Sequence, residues 1–219
     1  FLAKKINKNF PEKYKHKISE VGAILDKRII NCVKFEKNNK NEDFSILILG
    51  GSQGAEIFGE IVPTVVNMLK NKGIKINVNQ QCIKNQKDSI INFYNKNNIK
   101  NYIFEFDYDI LQLILSSDLV ITRCGASTME ELVHTSTPFI AVPIPHSIDN
   151  HQYLNAKFYE EKGCCWILEQ KNFNKENLFN LIISTINNQN KLETMQTNMK
   201  KKYSNNVYSV IENEINEFI

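Results

Sequence analysis

Two glycine turns in this chain fall where a strand-like run gives way to a helix-like one. The first, Gly50-Gly51-Ser52-Gln53-Gly54-Ala55, follows the apolar run Phe44-Ser45-Ile46-Leu47-Ile48-Leu49 and precedes a helical pattern from Glu56. A strand that breaks on two glycines and re-forms as a helix leaves backbone N–H groups unpaired. With the helix dipole behind them, those donors suit negative charge. Glycine lets the backbone approach a ligand that a Cβ would hold away, and Ser52 adds a hydroxyl. A tight βα turn without a ligand uses the same residues, so the glycine pair alone leaves both readings open. The second turn is Arg123-Cys124-Gly125-Ala126-Ser127-Thr128-Met129-Glu130-Glu131. Ser127 and Thr128 lie in the first helical turn, where amides and hydroxyls can hold a diphosphate. Glu131, one turn on, can accept both hydroxyls of a ribose. The alternative is that Ser127 is an N-cap and Glu130 or Glu131 closes a capping box. A third polar segment, Asp149-Asn150-His151-Gln152, opens a helix after the loop Pro143-Ile144-Pro145-His146-Ser147-Ile148. Its amides and carboxylate suit a hydroxyl-rich ligand, while taken alone the segment reads better as an Asp149 N-cap with solvated neighbours.

Hydrophobic periodicity supplies the elements that must position these residues. Strand patterns fall at 45–49, 74–79, 102–106, 118–122, 139–142 and 164–168. Helical patterns fall at 55–71, 87–97, 109–116, 126–135, 150–162, 174–188, 191–203 and 206–218. Short apolar strands such as Leu119-Val120-Ile121 suit burial on both faces. Strands alternating with helices predict an α/β, Rossmann-like domain with a doubly wound parallel sheet. Ligands bind such sheets outside the carboxyl ends of the strands, near the switch in strand order. All three polar segments fall at those ends. Residues 1–43 are basic and irregular and read as an N-terminal extension, with 44–219 as the domain.

Composition excludes several classes. The formal charge is +3, the lysines are scattered, and only Arg28 and Arg123 are arginines. No basic stripe is interleaved with aromatics, so nucleic acid is not an expected partner. No apolar run is long enough to cross a bilayer, and no signal peptide is visible. The five cysteines form no C-x-x-C pair, which favours reduced thiols in a cytoplasmic setting. His146 and His151 lack a metal-binding partner motif, so no metal is expected. Lys4, Lys5, Lys8, Lys13, Lys15 and Lys17 could each add up to about 1 kcal/mol of attraction to an anionic leaflet, although such runs are usually solvated loops.

Taken together, these blocks resemble the MurG family of UDP-N-acetylglucosamine–lipid transferases of peptidoglycan synthesis. The matching residues are Gly50 to Ala55, Glu105-Phe106, Arg123 to Thr128 with Glu131, and Asp149-Asn150-His151-Gln152 with Asn155-Ala156. The resemblance runs in order over roughly residues 18–215. It implies a GT-B fold, two Rossmann-like domains facing across a cleft, with this chain as the C-terminal donor-binding half. By resemblance, uracil docks on the backbone near Phe106 and Asp107, and Glu131 takes the ribose hydroxyls. Ser52, Ser127 and Thr128, on the backbone of Gly51, Gln53, Gly54 and Gly125, contact the diphosphate. Gln152, with His151 beside it, addresses the sugar hydroxyls, and Arg123 lines the pocket. UDP-GlcNAc is then a donor substrate and no cofactor is implied.

The resemblance further implies a lipid-linked muramyl-pentapeptide acceptor, bound by an N-terminal domain outside this chain, and peripheral association with the inner face of the cell membrane. His151 and His134 are the candidates for a base, but neither is assigned, because the family's base is expected from that other domain. Two departures stand out. The family's Asn-Pro-x-Arg segment reads Ala23-Ile24-Leu25-Asp26, so Asp26 stands where a basic residue is expected and Lys27 and Arg28 follow it. The family's Phe-Ile-x-x-Met stretch reads Phe106-Asp107-Tyr108-Asp109-Ile110. Two further readings stay open: the donor subunit of a split UDP-GlcNAc transferase, and a non-catalytic nucleotide-sugar-binding remnant.

Overall fold

Strand β1 (Phe44–Leu49) is buried along both faces, as a central strand covered by helices on each side must be. Ile46 and Ile48 point into one apolar core, and Leu47 and Leu49 into the other. The same alternation divides Leu119 and Ile121 from Val120 in β4 (Leu119–Thr122) and Ile140 from Phe139 and Ala141 in β5 (Phe139–Ala141). The computed structural model describes residues 11–12, 24–32, 43–51, 55–202 and 207–216.

The remaining strands are β2 (Ile76–Gln81), β3 (Lys100–Phe104) and β6 (Trp166–Ile167). The six strands form one sheet in the order β3-β2-β1-β4-β5-β6, with every pairing parallel. The helices are α1 (Lys27–Ile30), α2 (Glu56–Asn71), α3 (Lys87–Lys96), α4 (Ile110–Leu115), α5 (Ala126–His134), α6 (His151–Glu160), α7 (Lys175–Ile186), α8 (Gln189–Lys202) and α9 (Val207–Asn216). One face of the sheet is covered by α2, α3 and α7 through residues such as Phe58, Val62, Tyr94, Leu178 and Ile182. The other is covered by α4, α5, α6 and α8 through Ile114, Met129, Leu132, Ala156, Met195 and Met199. Each such aliphatic side chain contributes about 1.5–3 kcal/mol when fully buried. This is the expected doubly wound arrangement. Its strand order reverses between β1 and β4, the strands that lead into the two glycine turns.

Two strands begin and end later or earlier than their apolar pattern suggests. The pattern predicts strands at 74–79 and 102–106, whereas β2 occupies 76–81 and β3 occupies 100–104. Gly73, at φ +85°, closes α2, and the Ile74 amide turns back to the Leu69 carbonyl at 3.3 Å. That helix-terminating turn keeps Ile74 out of the sheet. An equivalent turn at Asn98, φ 50°, with Ile99 N bonded to Tyr94 O at 2.9 Å, brings β3 in at Lys100. Phe106 consequently lies in the loop after β3, and Gln81 is the last residue of β2.

The segment 24–32 packs onto this body. Leu25 and Ile29 are buried, the Tyr208 hydroxyl of α9 donates to Leu25 O at 2.7 Å, and His134 Nε2 lies 3.4 Å from Ile30 O. Beneath the sheet, the fully buried Tyr94 hydroxyl donates to Gln80 Oε1 at 2.7 Å, while Gln80 Nε2 has no hydrogen-bond partner. Tyr94→Phe therefore strips the Gln80 amide of its partner and should cost about 1–3 kcal/mol in urea-induced unfolding. Adding Gln80→Leu to it should cost less than the two single changes summed.

Candidate functional site

The carboxyl ends of the strands are tied together by long polar side chains. At the end of β1, Gly50 N donates to Gln81 Oε1 at 3.0 Å, and Gln81 Nε2 donates onward to Glu105 O at 3.1 Å. One amide thus joins the ends of β1, β2 and β3. At the end of β4, Gln152 Oε1 accepts from Cys124 N and from Ile144 N, both at 3.1 Å. Asn155 Nδ2 donates to Cys124 O at 3.1 Å. Gln152, expected to address sugar hydroxyls, fixes the turn below through its Oε1. Neither Gln81 nor the lashing role of Asn155 is evident from the motifs. A polar residue at the last position of a buried strand is the signal that points to Gln81.

Both helices that follow the glycine turns start without a side-chain cap. Ala55 is the N-cap of α2 and Gly125 that of α5. The capping-box reading of Ser127 therefore does not hold: Ser127 lies inside the helix, two residues past the cap, and is exposed, with Thr128 half-buried beside it. Gly51 has φ +79°, a conformation suited to glycine. Ser52, Gln53 and Gly54 lie outside the described residues, as do Val21, Gly22, Ala23 and the lysines between 4 and 17. Helix α6 starts at His151 with Asn150 as its N-cap, not Asp149. His146, Asp149 and Asn150 all have positive φ, between 52° and 60°. Non-glycine residues of this kind are uncommon and concentrate at ligand-binding loops. The ring of the exposed His151 donates from Nδ1 to Ile148 O at 2.7 Å.

After β3 the chain exposes Phe106 and Tyr108, whose rings meet edge to face at 4.9 Å. The Asp107 carboxylate is turned into the loop, accepting from the Tyr102 hydroxyl at 2.8 Å and from Asp109 N at 2.7 Å. That bond raises the Tyr102 pKa. Arg123, expected to line the pocket, is only 8% exposed and lies beneath the rim, its guanidinium 4.9 Å over the Phe58 ring.

Glu131 is half-buried, and burial first, the nearby Asp26 second, push its pKa up. Asp26 is itself held by Arg28, accepting from Arg28 N at 2.7 Å, from Nε at 3.2 Å and from Nη2 at 3.3 Å. Those bonds hold the Asp26 carboxyl below its usual range. Arg28 in turn feels Asp109 at the start of α4. Segment 24–30, the loop after β3 and helix α5 therefore meet at one edge of the rim. Two cavities of about 360 and 320 Å³ lie elsewhere, along α8 around Thr194 and Asn198.

Residues 45–212 match the family described as Glycosyltransferase family 28 C-terminal domain. The chain belongs to this family. Among relatives of the family-28 domain, one from Rickettsia felis is 40% identical over 204 residues, covering 89% of this chain and 56% of the relative. One from Pelagibacter ubique is 38% identical over 193 residues, covering 88% of this chain and 53% of the relative. Both are named UDP-N-acetylglucosamine–N-acetylmuramyl-(pentapeptide) pyrophosphoryl-undecaprenol N-acetylglucosamine transferase. The chain spans little more than half the length of these relatives. The crystal structure of Acinetobacter baumannii MurG superposes with a TM-score of 0.66 at 28% identity, covering 74% of this chain and 46% of that one. Os79 from O. sativa in complex with UDP, at 16% identity and a TM-score of 0.59, shares the fold.

The raised Glu131 pKa makes stability depend on pH in the acid range. Just above the ordinary glutamate value of 4.5 the native state holds more protons than the unfolded chain. Stability therefore falls as pH rises from that value through the raised one. Glu131→Gln should remove this fall, leaving the neutral-pH melting temperature equal to or above that of the wild type, with a flatter pH dependence of Tm in the acid range.

Proposed function

We propose that this family-28 domain binds the donor UDP-GlcNAc within an inverting transferase that moves GlcNAc to lipid-linked muramyl-pentapeptide, lipid I to lipid II, in peptidoglycan synthesis. The observation that carries this reading is the pair of uncapped helix starts, α2 and α5, each following a glycine turn, on the two strands flanking the switch point. Free amides and dipoles there suit a diphosphate, with Ser52, Ser127 and Thr128 adding hydroxyls. Glu131 is the acceptor for the ribose hydroxyls, and the backbone at Phe106 and Asp107 for uracil. Gln152 and His151 face the sugar. Residues 44–219 form the donor-binding unit, with 1–43 leading into it. The relatives' names and their greater length support an acceptor-binding portion beyond this domain. Peripheral association with the inner face of the cell membrane is part of the same proposal; among the described residues no helix is long and apolar enough to cross a membrane.

In this reaction an acceptor hydroxyl attacks C1 of GlcNAc from the face opposite the leaving group. The new C1–O bond forms as the C1–O bond to phosphate breaks, and UDP departs with the bonding electrons. The hydroxyl proton passes to a base that this chain is not assigned to supply. Charge growing on the diphosphate is met by amides and hydroxyls that are already oriented. Such preorganised donors are typically worth about 3–4 kcal/mol each. A second reading, a binding module that does not transfer, is favoured by one feature: Asp26 places a carboxylate near Glu131 where the resemblance expects a cation. Turnover by this chain supplied with an acceptor domain would exclude it.

Calorimetric titration of the chain with UDP-GlcNAc, UDP, GDP and ADP tests the donor reading. The uridine ligands should bind at least roughly tenfold more tightly than GDP and ADP, a difference of about 1.4 kcal/mol. Equal affinities across the three diphosphates would remove the uridine assignment. Glu131→Ala should weaken UDP by roughly tenfold or more, as expected for losing hydrogen bonds to a charged group. An unchanged affinity would remove its ribose role.

A further inference from the structure

The loop between β3 and α4 is held at both of its ends. On the β3 side, Cys82 N donates to Phe104 O at 2.9 Å, Gln81 Nε2 donates to Glu105 O at 3.1 Å, and Lys87 Nζ lies 3.5 Å from Glu105 Oε1. On the α4 side, the Asp107 carboxylate accepts the Tyr102 hydroxyl on one oxygen at 2.8 Å and Asp109 N on the other at 2.7 Å. The Tyr102 ring is itself steadied, stacked at 5.4 Å on the buried Phe104. A tyrosine of the strand thus reaches forward to orient the loop that follows it.

Among the described residues no hydrogen bond uses the backbone N–H or C=O of Phe106 or Asp107. The exposed Phe106 and Tyr108 rings flank those groups. Hydrogen bonds as exposed as those of Asp107 add little to stability, because water competes for both partners. Ordering the loop costs conformational entropy, and two aromatic rings stand in water beside it. A fixed stretch of backbone with an open donor and acceptor, next to exposed rings, suits a planar ring that carries an acceptor and a donor on adjacent positions. The edge of uracil has that pattern, with O4 accepting beside N3–H. Cytosine presents the reverse, an amino donor beside a bare N3 acceptor.

We infer that Tyr102 is a positioning residue for the nucleobase: by holding the Asp107 carboxylate, it sets the backbone groups of Phe106 and Asp107 against the edge of uracil. This rests on the donor-site reading, in which uracil docks on that backbone, and adds to it a source of base selectivity. A peptide held at one angle tells uracil from cytosine, because only one of them meets its donor with an acceptor and its acceptor with a donor. A loop free to turn adapts to either base and must be ordered at binding. Asp107 acts through its backbone, its side chain being engaged by Tyr102 and Asp109. The bond to Asp107 raises the Tyr102 pKa, so the hydroxyl stays protonated and donating at neutral pH.

The test is calorimetric titration of the chain with UDP and with CDP, for wild type, Tyr102→Phe, Asp107→Ala and the two changes combined. Wild type should prefer UDP. Tyr102→Phe, which removes one hydroxyl from an exposed ring, should leave Tm unchanged and lower the UDP-to-CDP preference by roughly three- to tenfold, the scale of one hydrogen bond. Asp107→Ala should lower it at least as far. The double variant should fall no further than Asp107→Ala alone, because Tyr102 acts through that carboxylate. A ratio that stays at the wild-type value in Tyr102→Phe, whether both affinities hold or both fall in proportion, overturns the inference and leaves the donor reading standing. Additive losses in the double variant overturn it too, since Tyr102 then acts by another route. A wild type that binds UDP and CDP alike removes uracil docking on this backbone, and the inference with it.

Discussion

Every parallel sheet faces the same problem at its carboxyl edge: the strands stop, and their last amides and carbonyls have no further strand to meet. Here that edge is closed by side chains. Gln81 joins Gly50 to Glu105, Gln152 joins Cys124 to Ile144, Asn155 holds Cys124 O, and Arg123 gathers the end of β5 to the turn at Gln170. Unpaired buried backbone groups cost roughly 1–3 kcal/mol each, so these few side chains determine whether the rim has one shape or many. Because they are amides and a guanidinium with directional donors and acceptors, they set angles as well as distances.

Closing the strand ends in this way leaves a different set of groups open. Among the described residues no N-cap side chain closes the first turn of α2 or α5, although a serine or aspartate at either N-cap would supply a cap worth about 1 kcal/mol. Ala55 and Gly125 stand there instead. Stability has been forgone at two neighbouring helix starts on the same rim, while buried polar groups a few residues away are matched carefully. That contrast, more than either glycine turn alone, is what supports the proposed ligand site over an ordinary βα connection. The positive φ values at His146, Asp149 and Asn150 fit the same pattern of local cost at the rim.

The fold was legible because both-face burial writes itself as short apolar runs, and because glycine turns after β1 and β4 sit where a doubly wound sheet reverses its order. The edges of β2 and β3 were less so. Ile74 is apolar and looks like strand, but the turn at Gly73 uses its amide to end α2. In the candidate site, residue types pointed to the loops at the strand ends, and the structure adds what some of their side chains bond to. The Asp107 carboxylate, next to the backbone expected to meet uracil, holds Tyr102 and Asp109. Arg123 has the look of a surface cation at a strand end, and only three-dimensional packing reveals that Phe58, Val142 and Gln170 enclose it. Periodicity reports which face a residue takes and is silent on what lies at the far end of a long side chain.

Asp26 illustrates how charge at such a rim must be read as groups and not as single residues. Taken alone, a carboxylate near Glu131 would repel both Glu131 and any anionic ligand. In the structure Asp26 also caps α1 and is gripped by Arg28 through backbone and side chain, so the two form a locally neutral pair. Being exposed, the pair is screened and adds little stability. Burial is the larger cause of the raised Glu131 pKa and Asp26 the smaller. Arg28 also feels the charge of Asp109. The cation is thus retained two residues beyond the position where the resemblance expects one, with its orientation set by the residue that replaced it.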